Sequence, residues 1–379
     1  MTPAVAMERI SCQSVEHVVD ALRAARADRA PLRITSGGTW LDAGHPVAAE
    51  RALDLSRLRG VTEYVPGDLT LTALAGTTLD ELRQITAEHR QWLPLDPFGD
   101  LRGTLGATLA TASAGPLGGS IGLPRDVTVG LKFVTGSADI VQGGGKVVKN
   151  VAGFDLVRLT IGAWGTLGVI TEATVRLRAR PEADETVALQ LPDASDALAT
   201  LLANVRAAMV EPIAAELLSP ACAERIGLGA EAMLLVRLAG NSTGLHHQQS
   251  TLARLSATAA VDTEVWNRLR TSDPSNAIVA RVSRRPSELA RLWLGTMAIP
   301  GVDAHATLSR GIVRLRLTSG SWPQSAFDSQ DRVIYESTPT GRRDGESADA
   351  NDQLSRRLRD AYDPDRILNR GILGAEPAA

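Results

Sequence analysis

Ser36-Gly37-Gly38-Thr39 follows the short apolar run Leu32–Thr35. Glycine frees the backbone to turn successive N–H groups towards one point, and the flanking hydroxyls add donors. That composition suits an anion cradle, and it equally suits a plain surface turn. A second small-residue stretch spans Arg102–Gly119 (RGTLGATLATASAGPLGG). Thr104 there is placed to cap a short helix through Gly106, Ala107, Ala110 and Ala112. Side chains this small admit a close neighbour, either a packed sheet or a flat ligand. The third stretch runs from Val141 to Pro181. It holds Gly143-Gly144-Gly145, then Asn150, Gly153 and Asp155, then Gly162, Gly165 and Gly168 ahead of Val169-Ile170-Thr171. This spacing predicts a glycine-punctuated turn region followed by a buried strand that Pro181 ends. Three such surfaces suit a large two-headed ligand with a pyrophosphate and flat rings.

Other residues with chemical potential are few. The three lysines, Lys132, Lys146 and Lys149, fall within one short span, while every other basic side chain is arginine. Either coding bias explains this or the region needs a compact ammonium. Arg314 and Arg316 share one face of a predicted strand, which suits a carboxylate clamp or a solvated outer face. Tyr335 and His305 are the remaining acid–base candidates, and no catalytic residue is assigned. His246-His247 lacks carboxylates or cysteines at ligand spacing and is expected to be solvated, so no metal site is expected. His17 and His89 sit in predicted helices. The glycines before Lys146 do not make a phosphate-binding P-loop, since Val147 stands where Ser or Thr is needed. No G-x-G-x-x-G follows the first strand, and neither G-x-S-x-G nor H-E-x-x-H occurs.

The elements that must position these residues follow from periodicity. Ser14 caps a helix with Val15, Val18, Val19, Leu22 and Ala25 on its apolar face, ended by Pro31. Ala52–Leu55, Val61–Val65 and Leu69–Ala75 are expected strands, and Thr78 to Glu81 is a capping box for the next helix. Val127–Val134 and Ala173–Leu177 are further strands. From about Glu182 the glycine clusters thin out. Strands near Leu189, Ala232–Leu238, Ala277–Val282 and Gly311–Thr318 alternate with helices at Ala194–Val210, His246–Leu255 and Pro286–Leu294. Ser337–Ala350 is polar and breaker-rich, an expected exposed loop. Arg356–Tyr362 is the last expected helix.

The chain of 379 residues is long enough for two domains or one large domain with an insertion, and its 44% hydrophobic content and net charge of −3 are ordinary for a soluble globular protein. That charge leaves no footprint for nucleic acid. No apolar run is long enough to span a membrane, and Met1–Cys12 lacks the pattern of a signal peptide, so a cytoplasmic location is expected, membrane-peripheral at most through partners. Its two cysteines, Cys12 and Cys222, cannot hold an iron–sulfur cluster alone.

In order and spacing, these segments resemble the PCMH-type FAD-binding domain of the vanillyl-alcohol-oxidase flavoproteins. The residues carrying the resemblance begin with Ser36-Gly37-Gly38-Thr39, Leu53-Asp54-Leu55-Ser56, Leu95-Asp96-Pro97 and Gly103-Thr104-Leu105-Gly106. They continue with Gly115, Arg125-Asp126-Val127, Gly162-Ala163-Trp164-Gly165 and Asp363 to Gly371. Lys149-Asn150-Val151-Ala152-Gly153-Phe154-Asp155-Leu156 narrows it to the FAD subunit of bacterial glycolate oxidase. The resemblance implies an α+β fold, with a two-subdomain FAD-binding domain at 1–181, a smaller α+β cap at 182–345 and a C-terminal segment, 346–379, returning to the first domain. It implies a non-covalent FAD, because Thr39 stands where covalent members carry His. Gly37, Gly38 and Thr39, with Ser36, would hold the pyrophosphate. Thr104, Gly106, Ala107 and Thr108 would form the second loop, with Ala110 and Gly115 beside the cofactor. Asp126 would approach the ribityl or flavin side. Asn150, Gly165 and Gly168 would join the binding surface, Val169 and Ile170 would offer backbone groups to the adenine, and Asn369 would reach back to the flavin. The implied substrate is a small 2-hydroxy acid, and the implied partners are a second flavoprotein subunit and an iron–sulfur subunit. Arg370 departs from the family's usual Pro, and the cap lacks the histidine-rich metal motif of hydroxyacid-dehydrogenating relatives. That departure keeps a non-catalytic electron-relay or scaffold role open.

Overall fold

Ser14 opens the first helix as its side chain requires. In the computed structural model its Oγ accepts the His17 N–H, and Arg29 in the left-handed region closes the helix ahead of Pro31. The structure describes residues 7–39, 43–100, 102–145, 155–273, 277–317, 332–337 and 353–374. The expectations for Lys146, Lys149 and Asn150, and for the loop at 338–350, lie outside the described residues. The chain divides into two compact units. One holds residues 1–114, 123–180 and 346–379, and the other holds 115–122 and 181–345.

In the first unit, β1 (Glu8–Ser11), α1 (Val15–Asp28), β2 (Leu32–Thr35) and β3 (Arg51–Asp54) come first. The three strands pair in parallel in the order β1-β3-β2, with Ile10 and Ile34 both opposite Leu53. Val18, Leu22 and Ala25 of α1, with Leu32 and Leu53, form one buried cluster. Next come β4 (Val61–Val65), β5 (Thr70–Leu74), α2 (Leu79–Ala87), the short β6 (Gln91–Trp92) and α3 (Leu105–Thr111). They are followed by α4 (Pro124–Val127), β7 (Thr128–Val134), β8 (Ile140–Gly144), α5 (Leu156–Thr160), β9 (Val169–Arg176) and the short β10 (Arg178–Ala179). An antiparallel sheet in the order β4-β5-β9-β7-β8 carries the second cluster, where Leu71, Ala73 and Val175 meet Leu79, Leu82, Leu105 and Leu109. The Thr78/Glu81 capping box forms in full. The C-terminal helix Gln353–Tyr362 leads back to this unit.

The second unit is built on one eight-stranded sheet. Its elements are β11 (Ala183–Gln190), α6 (Ser195–Ala207), β12 (Ala214–Leu218), α7 (Pro220–Arg225), β13 (Met233–Gly240), α8 (Ser242–Ala253) and β14 (Thr258–Val261). They continue with α9 (Val265–Thr271), β15 (Ile278–Ser283), α10 (Leu289–Met297), β16 (Asp303–Thr307), β17 (Ile312–Leu317) and β18 (Arg332–Ser337). The strand order is β14-β11-β13-β12-β16-β17-β15-β18, antiparallel throughout. Period-2 alternation sends Ala304, Ala306, Val313 and Leu315 into an apolar core with Leu202, Leu245 and Trp293. The opposite face carries His305, Thr307, Arg314 and Arg316.

Several expectations need correction. Gly143 and Gly144 belong to β8 and pair with Leu131 and Gly130, so they form strand rather than turn. A Cβ on Gly143 would sit 2.7 Å from Leu156 Cβ, and one on Gly144 would sit 2.2 Å from Val129 O, so close chain packing explains these glycines. His89 lies beyond the end of α2 and meets Tyr64 edge-on, with ring centroids 5.2 Å apart. β1, β12, β14 and β16 are strands that periodicity did not predict. In β16 the core-facing residues are only alanines, so the apolar signal is weak.

Cys12 and Cys222 are both free and fully buried. Burial, helped by Asp54, pushes the Cys12 thiol up to about 11, and burial pushes the Cys222 thiol up to about 12. Since the thiolate is the reactive form, neither cysteine should react with Ellman's reagent at pH 8 until the protein is denatured. One equivalent released from native protein would contradict this.

Candidate functional site

β2 delivers the chain into the Ser36–Thr39 loop. Gly38 sits at φ 75°, a conformation that favours glycine. Gly37 lets the loop touch its neighbour, since a Cβ there would lie 2.9 Å from Arg102 O. Among the described residues no hydrogen bond engages the N–H of Ser36, Gly37, Gly38 or Thr39. The Ser36 hydroxyl is buried and has no partner among the described residues. Buried polar groups are normally satisfied, so this loop presents donors that an acceptor ligand would complete.

The second loop differs. Gly103 N–H donates to Asp100 O at 2.9 Å, Leu105 N–H to Thr77 O at 2.9 Å, and Gly106 N–H to Ala75 O at 2.8 Å. Thr104 Oγ1 accepts the Ala107 N–H at 3.4 Å, and Thr104 O accepts the Thr108 N–H at 3.0 Å. The protein itself holds these donors, so this loop contributes shape rather than anion binding. Gly106 brings α3 against β5, since a Cβ there would lie 2.7 Å from Ala75 Cβ. The face of Gly106, Ala107, Ala110 and Thr111 then stays shallow.

Both loops line one open cleft, whose roughly 740 Å³ of non-atom space includes solvent at its mouth. Ser36, Gly38 and Thr39 stand at one wall and α3 at another. Trp164, Gly165, Gly168 and Ile170 form a third. Gly168 must be glycine there, because a Cβ would come within 2.5 Å of the Phe133 ring. Asn369 and Ile372 arrive from the C-terminal segment. Asn369 Oδ1 accepts the Ile34 N–H at 2.8 Å, and its Nδ2 donates to Trp164 O at 2.7 Å. Arg33 is the single formally charged residue among the described lining residues.

The cleft thus gathers Ser36, Gly38, Thr39, Gly106, Ala107, Ala110, Gly165, Gly168, Ile170 and Asn369. Gly37, Thr104, Thr108 and Val169 support it without lining it. Thr108 Oγ1 donates to Thr104 O, and Val169 is fully buried in the core. Asp126 does not line it either. Its carboxylate accepts the Leu123 N–H at 2.9 Å and lies 3.8 Å from Arg158, a local cap on α4. Gly115 belongs to the second unit. Thr111 and Trp164 were missed. Thr111 follows Ala107 by one helical turn, so the helical period would have found it. Trp164 has φ 54°, which nothing in its sequence position signals.

The second unit places the arginine pair differently from both expectations. Arg314 and Arg316 are neither solvated nor open to a ligand as a pair, being only 4% and 1% exposed. Arg314 forks onto Asp273 at 2.9 and 2.6 Å and donates to Glu336 at 2.5 Å. Arg316 also contacts Asp273 and reaches Asp303 at 3.3 Å, and Arg225 pairs with Asp303 at 2.5 Å. Burial alone would raise the Asp273 carboxyl, but Arg314 and Arg316 hold it far below the usual carboxylate range. Alongside, Glu216 accepts from the Thr307 hydroxyl at 2.7 Å and lies 2.8 Å from His305 Nδ1. Burial, then Arg316 and Arg314, push the His305 pKa well below its ordinary value, so the ring is neutral near pH 7 and shares one proton-bearing contact with Glu216 through Nδ1. His246 and His247 are exposed on α8. The Tyr335 side chain lies outside what is described.

Comparison with known proteins bears on the cleft. Residues 9–144 match the FAD binding domain family. The chain is 34% identical over 174 residues to glycolate oxidase subunit GlcE of Escherichia coli (strain K12), covering 45% of this chain and 49% of that protein. It is 33% identical over 211 residues to glycolate oxidase subunit GlcD of Bacillus subtilis (strain 168), covering 55% and 44% respectively. A D-2-hydroxyglutarate dehydrogenase of Xanthomonas citri pv. viticola is 34% identical over 195 residues, covering 51% and 41%. The matched regions span about half or less of these relatives. Among solved structures, p-cresol methylhydroxylase with substrate bound superposes with a TM-score of 0.75 at 14% identity, covering 97% of this chain and 88% of that one. An alkyldihydroxyacetonephosphate synthase gives 0.67 at 18% identity, covering 95% and 76%. These two establish the fold alone. The unengaged donors, the unpartnered Ser36 hydroxyl and the shallow walls all fit FAD. Residues 9–144 therefore match an FAD binding domain in sequence, and over about half its length the chain is similar to glycolate oxidase subunits.

Proposed function

We propose that this chain is the FAD-bearing subunit of an oxidoreductase that converts a small 2-hydroxy acid, glycolate, to its 2-oxo acid, glyoxylate. The observation that carries this is the set of unengaged donors at Ser36–Thr39 opening into a cleft with otherwise shallow walls. FAD, when bound, supplies the redox chemistry by taking up a hydride equivalent. The protein's part is to bind and orient. The Ser36–Thr39 N–H groups and the Ser36 hydroxyl hold the pyrophosphate, and the α3 face and the Trp164–Ile170 wall admit the rings. With Thr39 in the loop and no histidine there, attachment is non-covalent. Both cysteines are buried singly, which supports a reading in which electrons leave through other subunits, a second flavoprotein and an iron–sulfur protein. No helix among the described residues is long and apolar enough to cross a membrane, and we place the complex in the cytoplasm or at a membrane surface through its partners.

One observation favours a second role, electron relay or scaffolding without substrate oxidation. Arg314 and Arg316 are neutralised by Asp273, Glu336 and Asp303, so the pair offers no carboxylate clamp of its own. Mixing the purified chain anaerobically with glycolate or D-lactate separates the two. Flavin bleaching by the chain alone supports oxidation here. Bleaching only when the partner subunits are added supports relay, and a chain that takes up no FAD overturns both. Acid precipitation should leave the flavin in the supernatant; yellow retained in the pellet would refute non-covalent attachment.

A further inference from the structure

The last wall of the cleft comes from the far end of the chain. Leu32 N–H donates to Ile367 O at 2.7 Å, and Asn369 N–H donates to Leu32 O at 3.0 Å. Leu368 pairs with Leu32 as a parallel bridge, so this segment adds to the open edge of β2. Gly136 admits it, since a Cβ there would lie 2.2 Å from Asp363 Oδ1. Asp363 accepts the Ile367 and Leu368 N–H groups at 3.1 and 2.9 Å and fixes the turn. Asn369 follows at φ 44°, a left-handed conformation that asparagine tolerates better than most residues. It is 5% exposed, and both ends of its amide are engaged, one on Ile34 and the other on Trp164 O. Ile34 lies two residues before Ser36. Trp164 precedes Gly165, where a Cβ would lie 2.8 Å from Asn369 Nδ2.

We propose that Asn369 is a positioning residue for the cofactor. It ties the strand leading into the Ser36–Thr39 cradle to the Trp164–Gly168 wall, so that docking of residues 363–372 and FAD binding form one coupled equilibrium. This rests on FAD occupying the cleft. A ligand that binds only the docked form stabilises that form, and its apparent affinity falls with the docked fraction.

Hydrogen-exchange mass spectrometry of the full chain with and without FAD tests the coupling, with FAD affinity measured by flavin fluorescence. FAD should slow exchange in peptides covering 363–372 as well as 33–39. Asn369→Gly keeps φ 44° without strain and removes the amide, and it also loosens the undocked backbone, which acts in the same direction. Its 363–372 peptides should exchange faster without FAD, and its FAD affinity should fall about tenfold or more. Exchange in β12, β13 and β16 should not change, which separates a local effect from general unfolding. Asp20→Ala, which removes an exposed 3.6 Å pair with Arg23 on α1 and touches neither the cleft nor residues 363–372, should bind FAD normally. FAD binding without slower exchange at 363–372 overturns the proposal, as does wild-type affinity in Asn369→Gly. If Asn369→Gly does not fold, the wild-type exchange comparison decides alone. A wild-type chain that binds no FAD overturns the cofactor assignment itself, and the coupling with it.

Discussion

Gly38→Val is expected to yield a folded protein that loses its flavin on desalting. Gly38 is exposed and sits at φ 75°, so a valine there disturbs little packing but cannot keep the backbone conformation. The left-handed region costs an ordinary L-residue roughly 1–2 kcal/mol, and a β-branched one more. The loop would relax to negative φ and reorient the Gly38 and Thr39 N–H groups. Hydrogen bonds to a charged partner contribute about 1.5–3 kcal/mol each. Losing one or two of them weakens FAD on the order of 100-fold or more. The measurement is the flavin-to-protein absorbance ratio after gel filtration, read beside the thermal melt of the protein. Gly106→Val is the matched comparison. Its side chain would collide with Ala75, so it should lower the melting temperature and flavin content together. Stoichiometric flavin in Gly38→Val would show that the cradle does not hold the cofactor's phosphates.

The parts of this molecule that were legible in the sequence are those governed by local chemistry. Ser14, Thr78 and Thr104 cap their helices because a hydroxyl reaches an N–H only three residues away. The Ser36–Thr39 cradle is likewise four consecutive residues. Gly106, Ala107 and Ala110 were visible as one helical face. The rest depends on partners distant in sequence. The glycines of β8 look the same on paper as those of the cradle, and only Leu156 and Val129 reveal that they serve packing. Alternation correctly put Arg314 and Arg316 on one face of β17. It could not show that Asp273, 41 residues earlier than Arg314, covers that face. The family resemblance drew attention to Asn369, which lines the cleft, but nothing in the sequence marked it as a residue whose amide links Ile34 to Trp164.

The buried charges of the second unit carry the other large effect. Asp273→Ala leaves the Arg314 and Arg316 guanidiniums inside the protein with less compensation. Breaking a buried pair in this way typically costs about 3–5 kcal/mol. Asp273→Asn keeps the shape and removes only the charge, so it isolates the electrostatic part. The pH dependence has a definite sign. The Asp273 carboxyl is held far below its unfolded value by Arg314 and Arg316, against the opposing effect of burial. A depressed folded pKa gives stability that is fully present above the unfolded value of about 3.9 and is lost as pH falls below it towards the folded value. Asp273→Asn lacks that titration. The stability gap between wild type and Asp273→Asn should therefore be widest near pH 7 and narrow steadily from about pH 4 downwards. Hydrogen exchange of the β16 and β17 peptides at pH 7 and pH 3, referred to intrinsic rates, reads the gap within this unit alone. A gap unchanged across that range would mean that Asp273 contributes shape and hydrogen bonds rather than charge. Narrowing would identify the buried ion pairs as the reason these two arginines are held by the protein's own carboxylates.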